Sequence, residues 1–136
     1  MMEEEKQTLI ARALASRQWA YAPYSGYRVG AAILAASGKF YDGCNVENAA
    51  YGNTLCAERT ALVKAVSEGE RQFEALALVT DNGGFPCGTC RQMWAEFGLD
   101  LQVLILDGLG QLIHETTLKT LLPEPFTPAQ LPARGS

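Results

Sequence analysis

The chain has 136 residues, of which 48% are hydrophobic and 19% charged. This excludes a disordered chain or a coiled coil, and one domain over 1–136 is expected. Its net charge of −4 argues against a polynucleotide ligand, because phosphate binding wants a basic face. No apolar stretch approaches the roughly 20 residues of a membrane-spanning helix, and the acidic start MMEEEKQ lacks the basic flank of a secretory signal. A cytoplasmic protein without membrane contact is therefore expected.

Residues 3–18 predict a helix, with acids in its first turn and Leu9, Ile10, Ala13 and Leu14 on one face. The stretch Ala22-Pro23-Tyr24-Ser25-Gly26 ends it. Residues 29–36 are small or branched and apolar without alternation, which predicts a strand buried on both faces. Ser37-Gly38 turns the chain, and 39–43 returns as the hairpin partner. Residues 44–55 carry many polar groups and no period, and are expected to be loop. A helix follows over 57–68, with Ala61, Leu62, Ala65 and Val66 on one side and Gly69 as its stop. A strand is expected at 73–80, a break at Asp81-Asn82-Gly83-Gly84, and a helix over 88–97 ending at Gly98. Residues 101–106 predict a strand, which Asp107-Gly108-Leu109-Gly110 turns into a partner at 111–115; 117–122 form a short helix. The tail, with prolines at 123, 125, 128 and 132, must lie on a surface. The order α-β-β-α-β-α-β-β-α describes an α/β domain: a five-stranded mixed sheet in a three-layer α/β/α sandwich.

The four cysteines, at 44, 56, 87 and 90, suit two disulfides only in an exported scaffold. Without a signal, Cys87-Gly88-Thr89-Cys90 reads as a metal or redox pair. The single histidine, His114, excludes a His-rich site; it is placed on an edge strand away from the cysteines and read as structural. Cys44 reads as a small buried hydrophobe. Cys56 stands just before one predicted helix, and Cys87 and Cys90 on the first turn of another. Helix N-termini favour thiolate, the form that binds metal. If the two helices lie side by side, the three sulfurs converge, and three protein ligands with one open position is the pattern of a catalytic zinc site. Glu58 follows Cys56 by two residues, so its carboxylate can stand beside the open position and exchange protons with water there. Three thiolates outweigh one dication, so either Arg59 or Arg91 is expected to donate to sulfur and withdraw charge.

The run Cys56-Ala57-Glu58 followed by Pro86-Cys87-Gly88-Thr89-Cys90 has the form of the three-cysteine zinc deaminase signature. With YAPYSGYRVGAAIL, GCNVENAAYGNTLCAERTALVKAVSEG, PCGTCRQ and the tail LLPEPF, nearly the whole chain resembles the small, homotetrameric, three-cysteine cytidine deaminases. The resemblance implies hydrolytic deamination of cytidine and 2′-deoxycytidine to uridine and 2′-deoxyuridine, with release of ammonia, in pyrimidine salvage. It implies one Zn2+ per chain held by Cys56, Cys87 and Cys90, with Glu58 as the catalytic proton shuttle. It gives Asn45 and Glu47 to the ribose 3′-hydroxyl, the backbone N–H of Ala57 to the base carbonyl, and Tyr27 to the pyrimidine pocket. Phe126 would reach into a neighbouring subunit's site, Arg59 would hydrogen-bond the thiolates, and Gln92 would help beside them. The implied partners are a small nucleoside and further copies of the chain, with no nucleic acid. Two departures from the family pattern are Tyr27, where phenylalanine is common, and Gly52-Asn53-Thr54 before Leu55. The enzyme that deaminates blasticidin S shares the zinc pattern, but the segment NVENAAY favours cytidine. A non-catalytic zinc or redox module is the alternative from another class.

Overall fold

The computed structural model describes residues 1–131; of the tail prolines, Pro132 lies outside them. Helix α1 (Glu3–Ser16) opens with three glutamates facing the positive end of its dipole, and the Glu5 carboxylate accepts a hydrogen bond from the Met2 backbone N–H at 2.9 Å. Strand β1 (Gly30–Ala35) is buried along its whole length. It pairs antiparallel with β2 (Phe40–Cys44) across the predicted turn, where Gly38 takes a φ of 91° that other residues rarely adopt. Helix α2 (Ala57–Ser67) leads to β3 (Phe73–Val79), which lies antiparallel to β1. Helix α3 (Gly88–Ala95) is the crossover to β4 (Gln102–Leu106), parallel to β3. Strand β5 (Leu112–Thr117) turns back antiparallel to β4, and α4 (Leu118–Leu121) follows.

The sheet order is β2-β1-β3-β4-β5. Alternate residues of the central strands feed two cores. Ala32, Leu34, Ala77, Val79 and Leu104 meet Leu9 and Ala13 of α1 on one face. Ala31, Ile33, Leu76 and Leu78 meet Leu62, Trp94 and Leu118 of α2, α3 and α4 on the other. This is the expected α/β/α sandwich around a five-stranded mixed sheet. No helix among the described residues is long and apolar enough to cross a membrane.

Helix α2 sits unusually close to the sheet at Gly43 of β2. A Cβ on this glycine would come within 2.7 Å of the Ala61 amide nitrogen and 2.8 Å of Thr60 Cβ. The Thr60 hydroxyl meanwhile donates to the Cys44 carbonyl at 3.0 Å. Glycine is thus what lets the start of α2, with its chemistry-bearing residues, lie against the strand.

Most element ends agree with expectation to within one residue, and three differ by two. The helix expected over 3–18 becomes a 3-10 turn at Arg17–Trp19, and that expected over 88–97 ends at Ala95, before Gly98 at a φ of 127°. Strand β5 runs to Thr117, beyond the expected 111–115. The Asp107 carboxylate accepts the amides of both Leu109 and Gln111 and so shapes the reversal through its side chain. The hydroxyl of Thr117 then caps α4 by accepting the Thr120 amide, so this residue closes the strand and precedes the helix.

Candidate active site

Cys56 is the N-cap residue of α2 and Cys87 that of α3, with Cys90 one turn further in. Both helices start near the carboxyl end of β3, the edge at which α/β sheets generally place their ligands. The three sulfurs converge: Cys56 Sγ lies 3.9 Å from Cys87 Sγ, Cys87 Sγ lies 3.3 Å from Cys90 Sγ, and all three are within 4.8 Å of one another. Thiolates on a tetrahedral zinc, at about 2.3 Å each, stand about 3.8 Å apart. The donor set is soft, free of disulfides and backed by two helix N-termini, and it fits one zinc ion. Cys44 is half-buried and outside the cluster.

The charge in this cluster is shared unequally. The hydrogen bond from Cys90, joined by those from Cys87 and Arg59, holds the Cys56 thiol down at about 5. The same bond to Cys56, together with burial, pushes the Cys90 thiol up. Of the two candidate guanidiniums, the structure selects Arg59. Its Nη2 donates to the Thr54 carbonyl at 2.7 Å and reaches Cys56 Sγ at 4.0 Å. Arg91 instead donates to the carbonyls of Pro86 and Leu121, at 2.7 and 2.8 Å, bracing the start of α3 against the segment after α4.

Beside the cluster opens a cavity of about 290 Å3 whose walls include Tyr27, Val29, Asn45, Glu47, Cys56, Ala57, Glu58, Leu78, Phe85 and Cys87. Glu58 is only 4% exposed. Burial, reinforced by the charge of Cys56, raises its carboxyl pKa. Asn45 is pinned by the backbone of the segment leading into β1: Oδ1 accepts the Val29 amide at 3.0 Å and Nδ2 donates to the Tyr27 carbonyl at 2.8 Å. Glu47 accepts from the Ser25 hydroxyl and from the amides of Tyr24 and Ser25. The hydroxyl bond is the main reason its pKa is lowered. The Tyr27 hydroxyl donates to Asn82 Oδ1 at 2.7 Å.

Two further residues, Phe126, implied for a neighbour's site, and Gln92, do not line the cavity of this chain. Phe126 is 58% exposed and outside the cavity wall. Gln92 donates its amide to the Phe126 carbonyl at 2.6 Å, which ties it to the tail. Conversely, Ser25 and Phe85 line the cavity without having been singled out. Phe85 stands two residues before Cys87 and Ser25 two before Tyr27, and that proximity was the available signal. His114 is on edge strand β5 as expected, yet its ring packs at 5.4 Å against Phe85, one residue from the cavity.

Residues 3–106 match the family described as cytidine and deoxycytidylate deaminase zinc-binding region. A cytidine deaminase of Sporosarcina psychrophila is 51% identical over 132 residues, covering 96% of each chain. One of Halalkalibacterium halodurans is 47% identical, covering 90% of this chain and 95% of its own. The crystal structure of cytidine deaminase from Burkholderia pseudomallei superposes with a TM-score of 0.83 at 43% identity, covering 93% of this chain and 100% of that one. With three cysteines gathered at two helix N-termini beside a buried glutamate, the chain belongs to the cytidine and deoxycytidylate deaminase family.

Proposed function

We propose that the protein hydrolyses the exocyclic amine of cytidine and 2′-deoxycytidine, giving uridine or 2′-deoxyuridine and ammonia. The observation that carries this is the buried Glu58 in a cavity whose wall also holds Cys56 and Cys87. Zinc held by Cys56, Cys87 and Cys90 would supply Lewis acidity and a water made acidic enough to attack at neutral pH. Glu58 takes a proton from the attacking water and delivers it to N3 of the pyrimidine; it then takes the remaining proton from the oxygen added at C4, which becomes the carbonyl, and passes it to the amine, which leaves as ammonia. Its raised pKa suits a group that must both accept and give a proton near neutrality. The Ala57 amide binds the base carbonyl, Tyr27 lines the base, and Asn45 and Glu47 hold the ribose 3′-hydroxyl. Arg59 draws charge from Cys56.

The cavity also separates the two substrate classes in the family's description. No lysine, arginine or histidine is among its lining residues, whereas two carboxylates are. Glu47, with its lowered pKa, is ionised at neutral pH. A 5′-phosphate would enter against like charge without a partner among the lining residues, which favours a free nucleoside over deoxycytidylate or a nucleic acid. We further propose a single deaminase domain over 1–136, assembled as a homotetramer in which Phe126 completes a neighbour's site, with Gln92 positioning the tail. A cytoplasmic role in pyrimidine salvage follows from that substrate.

The test is the absorbance change on incubating the purified protein with cytidine, 2′-deoxycytidine, deoxycytidylate and blasticidin S, with and without a chelator. Both nucleosides should turn over, deoxycytidylate should fall behind by roughly 100-fold on like-charge grounds, and chelator should stop turnover. Zinc-loaded protein inert toward every nucleoside would leave the non-catalytic zinc module standing.

A further inference from the structure

The segment between β3 and α3, residues 81–86, carries Phe85 of the cavity wall and delivers Cys87 to its helix. It is held from two sides. On the outer side, a Cβ on Gly83 would touch Ile113 of β5 at 3.1 Å, and Phe85 packs on His114. On the inner side runs a continuous set of hydrogen bonds. The Tyr27 hydroxyl donates to Asn82 Oδ1 at 2.7 Å, and the Thr80 hydroxyl donates to the same oxygen at 3.4 Å. The Gly84 amide donates to Thr80 Oγ1 at 2.7 Å. Thr80 is buried, so the inner anchor is part of the core.

We propose that the Tyr27 hydroxyl, acting through Asn82, latches the 81–86 segment against the pocket, so that Tyr27 and Asn82 are positioning residues setting where Phe85 stands over the substrate. This deepens the deaminase reading and rests on it for its consequences in catalysis, though the latch itself is independent of any substrate. The hydroxyl points at the segment rather than at the sulfurs. Glycine at 84 belongs to the same device. A Cβ there would stand 2.8 Å from the Tyr27 hydroxyl oxygen, whereas its next neighbours, Asn82 Oδ1 and Thr80 Oγ1, are at 3.6 Å. Alanine at 84 therefore collides with one atom, and Tyr27→Phe removes that atom.

The experiment compares the zinc-loaded protein with Tyr27→Phe, Asn82→Ala, Gly84→Ala and Tyr27→Phe/Gly84→Ala, by amide exchange without substrate and by steady-state kinetics on cytidine. In Tyr27→Phe and Asn82→Ala, the amides of residues 81–85 should exchange about two- to tenfold faster, the range one net hydrogen bond commands. KM for cytidine should rise by about the same factor, and by more than kcat falls. Gly84→Ala should cost more in the Tyr27 background than in the Tyr27→Phe background. Unchanged exchange in both Tyr27→Phe and Asn82→Ala, or an equal Gly84→Ala penalty in both backgrounds, overturns the latch. If the wild-type protein does not deaminate cytidine, the substrate reading fails, while the exchange arms still decide the latch.

Discussion

Replacing Gly43 by alanine tests how α2 is seated and what that seating is worth to the site. The added Cβ would lie 2.7 Å from the Ala61 nitrogen, 2.8 Å from Thr60 Cβ and 2.9 Å from Thr60 Cγ2. Comfortable contact needs roughly 3.5–4.0 Å, so α2 must retreat by about 1 Å from β2. Overpacking of this kind typically costs about 1–3 kcal/mol. With about 2.1 cal/mol/K of unfolding entropy per residue, a chain of 136 residues should melt roughly 4–10 °C lower. Thr60 is only one turn from Cys56 and Glu58 at the head of the same helix, so the retreat is passed to the reacting groups. A misplacement of about 1 Å can cost on the order of 100-fold in rate. Thermal denaturation of zinc-loaded protein and kcat/KM on cytidine read the two effects separately. A melting temperature within about 1 °C of wild type together with unimpaired turnover would show that edge strand β2 yields instead, and that the close approach does not govern the site.

Cys90→Ala should lose zinc and activity together, because two thiolates cannot hold the ion tightly; metal analysis of active variant protein checks this. Glu58→Gln should keep zinc and fold while turnover falls by at least about 10²–10⁴-fold, and a variant within tenfold of wild type would remove the carboxyl from the chemistry. Its metal-free form should also be more stable than wild type at neutral pH. The raised pKa means that ionising Glu58 destabilises the fold, so the difference should close as pH falls below the unfolded carboxyl value. Arg59→Ala should lower kcat about 10–100-fold with zinc content retained and the alkaline side of the pH–rate profile moved upward; an unaltered rate and profile would give the compensation to the helix N-termini. Glu47→Gln has the opposite pH signature to Glu58→Gln: a lowered folded pKa confers stability above the unfolded pKa that is lost as pH falls through the folded value. That variant should therefore melt below wild type at neutral pH and converge with it in acid, as paired melts across pH will show.

Most of this architecture is legible in the residues because burial is. The unbroken apolar run of β1 has no use except at the centre of a sheet, and the periodic alanines and leucines of α2 need a face to cover. The cysteines were readable because each stands where a helix starts, and helix starts follow from local periodicity. What was not readable depends on partners distant in the chain. Arg59 and Arg91 each follow a cluster residue closely, and they part because the carbonyls of Pro86 and of Leu121, the latter 30 positions away, both take Arg91. Gln92 is similarly taken by the Phe126 carbonyl, 34 positions on. The end of β5 was missed because Thr117 both pairs with Gln102 of β4 and caps α4 through its hydroxyl, so one residue serves two elements. Phe85 was missed because a wall is defined by the space it faces, and its closeness to Cys87 in sequence does not say that its ring faces that space.

The spacing of the three sulfurs along the chain also bears on the order in which the protein comes together. Cys87 and Cys90 are 3 positions apart, whereas Cys56 and Cys87 are 31 apart. Closing the longer loop costs about 2 kcal/mol more chain entropy than closing the shorter one. An unfolded or newly made polypeptide therefore offers metal a ready two-sulfur clip, and the third thiol joins once α2 has docked on β2 and β1. Ion capture by the clip needs only a tetrapeptide's reach, whereas the third bond reports a finished sandwich. During refolding in the presence of metal, weak two-thiolate binding that a chelator still strips should come first, and chelator-resistant zinc and turnover should appear together once Cys56 joins.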